Sequence, residues 1–347
     1  MPIRYYLSLF ILLIIIFYPG LVYLEPSPIK IFIVNSYHYD HFCTKPQIEG
    51  FKNYLSKYGQ DYNFIIQSFY METNIKNNSI PNKRYIGNLI IDKINKFNPD
   101  YIYLTDDNAF EYIGTKLSDK YKIITSGINK PFNSYLVNFA DIKKENIIII
   151  QELISLEKLN KLFDQLFFKP EKVYMLTEPN GSKSETSFYM EENYTEQFKK
   201  YNFSIIKLSI DNLDTLKYIL SNINKDNSVN LIVLPIQRIF SNSHHRYLNK
   251  DEFIKFILAY NSRQLELGGN TLYSELGIGV CTSPSFEFMG ELSAKTILDD
   301  VLHSNFNHTV ILPPNDIYVN KKRLDELGLI YFYQKKPNLI DGVFDVY

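Results

Sequence analysis

Asp106, Asp107 and Asn108 stand directly after a short apolar run, residues 101–104, and directly before an amphipathic pattern carrying Phe110, Ile113 and Leu117 on one side. Side chains of these types can do two things there. A carboxylate or amide accepts the free N–H groups of a helix's first turn, so Asp106 or Asp107 can cap the helix that follows. The same turn lies at the carboxyl end of a strand, where open α/β sheets bind ligands. Applied along the chain, that rule puts Tyr37 and His38 beyond the first strand and Asn129 beyond the fourth. It puts Thr177, Glu178 and Arg238 beyond strands of the second half. Carboxylates in such a position suit an amine or hydroxyl group, Arg238 suits an anion, and Tyr37 offers an aromatic face.

His38, Asp40, His41 and Cys43 offer four metal-capable side chains within six residues. Neighbouring ligands on a single loop rarely converge on one ion, and a polar loop at a strand end accounts for them, so no metal is expected. His244 and His245 fall in a polar loop and read as solvated. The chain has no phosphate-binding glycine loop, no dinucleotide fingerprint, no nucleophile elbow and no zinc-protease motif, so neither an enzyme nor a cofactor is expected. A net charge of -1 over 347 residues argues against a nucleic-acid surface. Cys43 and Cys281 have no CxxC spacing and are too few for a disulfide framework, which leaves a single bridge open.

Those candidates need elements to hold them. Arg4 followed by the apolar run 7–18 and Pro19-Gly20 reads as a targeting segment. Residues 1–24 are therefore expected to be a signal peptide or single membrane anchor, since roughly 20 apolar residues suffice to span a bilayer. The rest of the chain then faces outside the cytoplasm. From residue 30 strands and helices alternate: strands near 30–35, 62–69, 101–104 and 122–125, helices near 46–58 and 85–97. The pattern restarts at 147–151, with strands at 172–176, 204–208 and 230–234 and helices between them. Strands separated by helices make parallel sheets with right-handed crossovers, and here they make two halves of similar size. The last part is expected to hold a strand at 277–281, a long helix at 284–302 with Pro284 in its first turn, and a final helix capped by Asn320 and closed by Gly328.

Several segments together resemble the substrate-binding proteins of ABC transporters that have the type I periplasmic-binding-protein fold. They are VNSYH at 34–38, PDYIYLTDDNA at 99–109, ITSGIN at 124–129, SFEFMGELSAK at 285–295, ILPPNDIYVN at 311–320 and DELGL at 325–329. Their order and spacing cover about 300 residues, and the match is poorest between 235 and 274. The resemblance implies two Rossmann-like lobes with parallel sheets, joined by three crossovers, that close on a ligand by hinge motion. It implies a first lobe of residues 25–145 plus about 278–320, a second of 146–277, and a C-terminal helix and tail at 321–347. It also implies a small-molecule ligand in the interlobe cleft, delivered to an ABC permease; the alternative is a sensing ectodomain that signals to a membrane partner such as a sensor kinase.

Overall fold

The computed structural model describes residues 27–139, 141–181, 183, 185–236, 239–241, 245–335 and 338–345. The expected targeting segment lies outside them. Among the described residues no helix is long and apolar enough to cross a membrane.

The first half folds as β1 Ile29–Asn35, α1 Thr44–Tyr58, β2 Phe64–Tyr70, α2 Ile80–Phe97 and β3 Tyr101–Thr105. Three successive helical turns follow as α3, Asp106–Ala109, Phe110–Gly114 and Thr115–Leu117, the middle one wound as a π-helix. Then come β4 Lys122–Ile128, α4 Phe132–Asn138 and β5 Ile147–Gln151. Strands β1, β3, β4 and β5 are almost wholly buried, which is why they read as unbroken apolar runs rather than alternating ones.

After β5 the chain crosses to a second sheet. It forms α5 Glu157–Leu166, β6 Lys172–Thr177, α6 Glu185–Lys200, β7 Ile205–Ser209, α7 Leu213–Ile223, β8 Asn230–Val233, α8 Lys250–Tyr260, β9 Leu265–Gly268, α9 Thr271–Glu275 and β10 Val280–Pro284. It returns to the first lobe as α10 Phe286–His303 and β11 Thr309–Ile311, and crosses back as β12 Asn315–Asn320, α11 Lys321–Glu326 and β13 Gly342–Phe344. The first sheet runs β11-β5-β4-β3-β1-β2 and the second β13-β12-β10-β9-β8-β6-β7, parallel throughout except for the β10–β12 pair. The chain thus passes between the lobes three times.

This pairing moves the expected lobe boundary. Residues 278–320 do not belong to the first lobe as a block. Strands β10 and β12 pair with each other over five positions, and Val280, Ile317 and Val319 sit in the second lobe's core. Only α10 and β11 pack on the first lobe. The C-terminal segment is not a separate unit either, because β13 pairs with β12. Pro284 ends a strand instead of opening the helix, and the cap of α10 is Ser285, whose hydroxyl accepts from the Phe288 N–H.

Strand β9 has no counterpart in the sequence reading. Glu266 breaks its apolar pattern, yet it is fully buried, because the Arg323 guanidinium pairs with it at 2.5 Å and also donates to the Asn261 carbonyl at 2.6 Å. A charge is tolerated in a strand core when a planar guanidinium meets it there. Asn320 caps α11 as expected, with its side chain accepting from the Arg323 N–H.

Helices α1 and α10 cross in very close contact. A Cβ on Gly290 would lie 1.9 Å from the Gln47 carbonyl oxygen, and one on Gly50 would lie 2.1 Å from that of Glu287. The two glycines let the returning helix seat directly on α1, whose N-cap residue Cys43 lines the cleft.

Candidate functional site

Between the lobes lies a cavity of about 320 Å³. Its first-lobe wall begins with the loop after β1. The Ser36 hydroxyl donates to the Thr105 carbonyl at 2.6 Å and accepts from the Ala109 N–H at 2.8 Å. The cap of α3 therefore comes from a neighbouring loop, not from Asp106 or Asp107 as the sequence suggested. Freed from capping, both aspartates line the cavity with Tyr37 and Asn129. Asp106 holds a left-handed backbone, φ 65°, which Asp tolerates better than most residues. Its carboxylate faces Gly127, itself at φ +73°, where a Cβ would lie 3.3 Å from Oδ1.

Asp107 is anchored. Its carboxylate accepts from the N–H groups of Asn129 and Lys130, both at 3.2 Å, from Asn129 Nδ2 at 3.4 Å and from the Tyr135 hydroxyl at 2.5 Å. It thus fastens the loop after β4 onto the loop after β3. Asn129 continues the chain by donating to Glu152 at 3.3 Å. Glu152 lies on the crossover just past β5, so the strand-end rule that singled out Asp106 points to it as well.

Three carboxyls in one partly enclosed space raise one another's proton affinity. Burial, then Glu152 and Asp107, push Asp106 well above the usual carboxylate range. Burial also raises Asp107, against the pull of its hydroxyl and amide donors. Burial and the neighbouring Asp107 push Glu152 up to about 8. Tyr37, half-buried beside these groups, is pushed well above its ordinary value, chiefly by loss of water around its hydroxyl. His41 is lowered to about 4, by burial and then by His38 and Lys250, so its imidazole is neutral. Its Nδ1 stands 2.9 Å from the Cys43 sulfur, which is 3.8 Å from Asp106 Oδ1. Burial raises the Cys43 thiol, which keeps it protonated.

The other metal-capable residues of that loop turn elsewhere. His38 pairs with Asn74 at 3.4 Å and Asp40 is exposed. Among the described residues no three metal-capable side chains converge. Both cysteines are buried free thiols, so the bridge left open by the sequence is not formed.

The second-lobe wall comes mostly from elements the sequence reading passed over. Tyr189, Met190 and Asn193 project from α6, and Asn193 Oδ1 also accepts from the N–H of Ile154 on the crossover at 3.0 Å. Lys250 is the first residue of α8, behind the capping box of Asn249 and Glu252. Its Nζ lies 4.8 Å from the Tyr273 ring and 5.6 Å from the ring of Phe42 in the first lobe. Burial lowers Lys250 to about 8, against the pull of Glu152 and Cys43. Asn270 follows Gly268-Gly269 and sits at the N-cap of α9 without capping it. Its buried Oδ1 has no hydrogen-bond partner among the described residues.

Of the residues picked out from sequence, Tyr37, Asp106, Asp107 and Asn129 come together at the cavity. His38 does not line it, and Asn108 turns away to donate to the Thr73 hydroxyl at 3.1 Å. Thr177 and Glu178 are buried beneath the second wall, where the Ser187 hydroxyl donates to Glu178 at 2.7 Å. Arg238 lies outside the described residues. Of the residues missed, Glu152 carried a usable signal in its strand-end position. Lys250 carried a weaker one in the Asn249-x-x-Glu252 capping box, and Asn270 only in the glycine pair before it.

No family model matches the chain, and no curated protein matches it. Solved structures do. The ligand-free, open substrate-binding protein CD0873 of Clostridium difficile is 15% identical, with a TM-score of 0.65 over 91% of this chain and 99% of that one. An ABC domain from Streptococcus pneumonia in complex with L-Trp is 14% identical, with a TM-score of 0.58 over 92% and 100%. A mutant XylFII–LytSN complex is 12% identical, with a TM-score of 0.52 over 84% and 98%. The likeness spans both lobes: the chain has the type I periplasmic-binding-protein fold found in substrate-binding proteins of ABC transporters.

Proposed function

We propose that the protein is an extracytoplasmic solute-binding protein. It captures a small organic ligand between its lobes and hands it to an ABC permease. The observation that carries this reading is the cavity. It is large enough for a small molecule and is lined by both lobes at the strand ends where ligands bind in such sheets. Its polar groups converge: Asp106 and Glu152 on one side, Lys250 and Asn270 on the other. Asp106 and Glu152 suit an ammonium group, which would draw them into the ionised state on binding. His41 and Cys43 stand side by side in the cavity, but an imidazole lowered to about 4 is too weak a base to draw the proton from a thiol that burial raises. This supports binding rather than catalysis. The L-Trp complex of a structural neighbour supports an amino-acid-sized ligand.

A second reading, an ectodomain that senses the same ligand for a membrane partner, draws on the XylFII–LytSN neighbour. Both readings use the N-terminal apolar segment for export.

A thermal-shift screen of amino acids, nucleosides and sugars on the full chain tests the binding reading. At least one class should raise Tm in a saturable way, because ligand that binds only the folded state stabilises it by mass action. If no class does so, the reading fails. Permease pull-down against sensor pull-down separates delivery from signalling.

A further inference from the structure

We infer that Lys250 and Asn270 form a seat for a carboxylate, so that the site takes a small zwitterion with its ammonium toward Asp106 and Glu152. This rests on the reading of the cleft as a ligand site. Among the described residues, Lys250 is the one cationic side chain lining the cavity. Lys250 is half-buried, and an ammonium drawn out of water is costly unless an anion or several acceptors meet it. Among the described residues no carboxylate comes within ion-pair distance of Lys250, and its close neighbours are the faces of Tyr273 and Phe42.

Asn270 is the second, independent observation. It lines the same cavity, is only 7% exposed, and leaves its amide oxygen without a partner although an N-cap position offers one. Turning the amide about its last bond brings its NH2 group to the same place, so Asn270 can donate to a ligand oxygen held by Lys250. The charges divide across the cleft. The carboxyls come from the first lobe and the crossover, and the ammonium and the unpartnered amide come from the second. A molecule carrying both charges is complementary to both walls and is gripped only when the lobes are together. Tyr37, Phe42, Tyr189 and Phe286 line the space between and favour a flat apolar side chain.

The test uses three probes that share one ring: L-phenylalanine, phenethylamine and 3-phenylpropionate, titrated calorimetrically into the full chain. Phenylalanine should bind at least tenfold more tightly than either single-charge analogue. Lys250→Met should cut the preference for phenylalanine over phenethylamine to within about threefold, while Lys250→Arg keeps it. Asn270→Asp, which preserves shape and adds a negative charge, should weaken phenylalanine at least tenfold and spare phenethylamine. The inference falls if phenethylamine matches phenylalanine on the wild type, if none of the three binds, or if Lys250→Met leaves the preference intact. It also falls if Lys250→Met tightens phenethylamine as much as it weakens phenylalanine, because Lys250 then only offsets the acidic wall. If the screen yields only uncharged sugars or nucleosides, the zwitterion seat is overturned while the binding reading stands.

Discussion

Among the described residues, every carboxyl that lines the cleft comes from the first lobe or the crossover leaving it, whereas the ammonium of Lys250 and the unpartnered amide of Asn270 come from the second. The walls also differ in how their side chains are held. On the first wall each polar group is fixed by another: Ser36 caps α3, Asp107 clamps the loop after β4, and Asn129 links that clamp to Glu152. On the second wall Asn193, in the middle of α6, holds the Ile154 N–H, but Lys250 at the start of α8 and Asn270 just past β9 have few partners. A wall whose polar groups hold one another is preorganised, and a wall whose polar groups stand with few partners is left to be completed by what binds.

If the first wall is rigid in this sense, disturbing its support should cost far more stability than disturbing the second. Gly290→Ala pushes a Cβ against the Gln47 backbone and should destabilise by about 3 kcal/mol, read from urea unfolding, because backbone cannot yield as a side chain tip can. A loss under about 1 kcal/mol would mean that α1 and α10 are loosely seated. Asp107→Ala strips partners from the N–H groups of Asn129 and Lys130 and from the Tyr135 hydroxyl. It should cost about 2 kcal/mol, part of the loss being offset by relief of carboxyl crowding. Asp107→Asn should recover some of this.

Glu152 sharpens the comparison through pH. Its carboxyl is held at about 8 when folded, against 4.5 as the ordinary value. The folded protein therefore binds more protons than the unfolded chain between those values, and stability falls as pH rises through that window. Asp106 and Asp107 are displaced in the same direction. Lys250, lowered to about 8 from 10.5, does the reverse: the unfolded chain holds the extra proton, and stability rises with pH between those values. Glu152→Gln should flatten the falling limb by on the order of 2 kcal/mol between pH 5 and 8 and leave the limb above 8 unchanged. An unaltered slope from pH 5 to 8 would show that Glu152 does not share the carboxyl cluster.

The smallest effect is expected at Thr177. It lies at a strand end but beneath the second wall, so Thr177→Ala should leave ligand affinity within twofold and cost about 1 kcal/mol of stability. A tenfold loss of affinity would place Thr177 on the cleft wall itself.

This contrast explains what could be read from sequence. The alternation of apolar runs and amphipathic helices is a local signal, and it revealed both sheets and the strand-end positions of Tyr37, Asp106, Asp107 and Asn129. Strand β9 stayed hidden because Glu266 is neutralised by Arg323, a partner 57 residues away, and periodicity cannot register such a pairing. The lobe assignment of residues 278–320 failed for a related reason. A strand's sheet is set by its partner, and β10 finds β12 across an intervening helix. Lys250 reaches the cleft through the packing of α8, which no residue spacing records, and Asn270 through the end of β9, the strand that stayed hidden.

The central claim is that Asp106 meets a cationic group of the ligand. Asn accepts the left-handed backbone at this position, so Asp106→Asn removes charge and little else. Calorimetric titration of wild type and Asp106→Asn with the tightest ligand from the screen, at pH 6 and pH 8, tests the claim directly. Wild-type affinity should rise with pH, because Asp106 must ionise to meet the cation, and Asp106→Asn should bind at least tenfold more weakly at pH 8 with that pH dependence reduced. Equal affinities for the two proteins at both pH values would contradict the account.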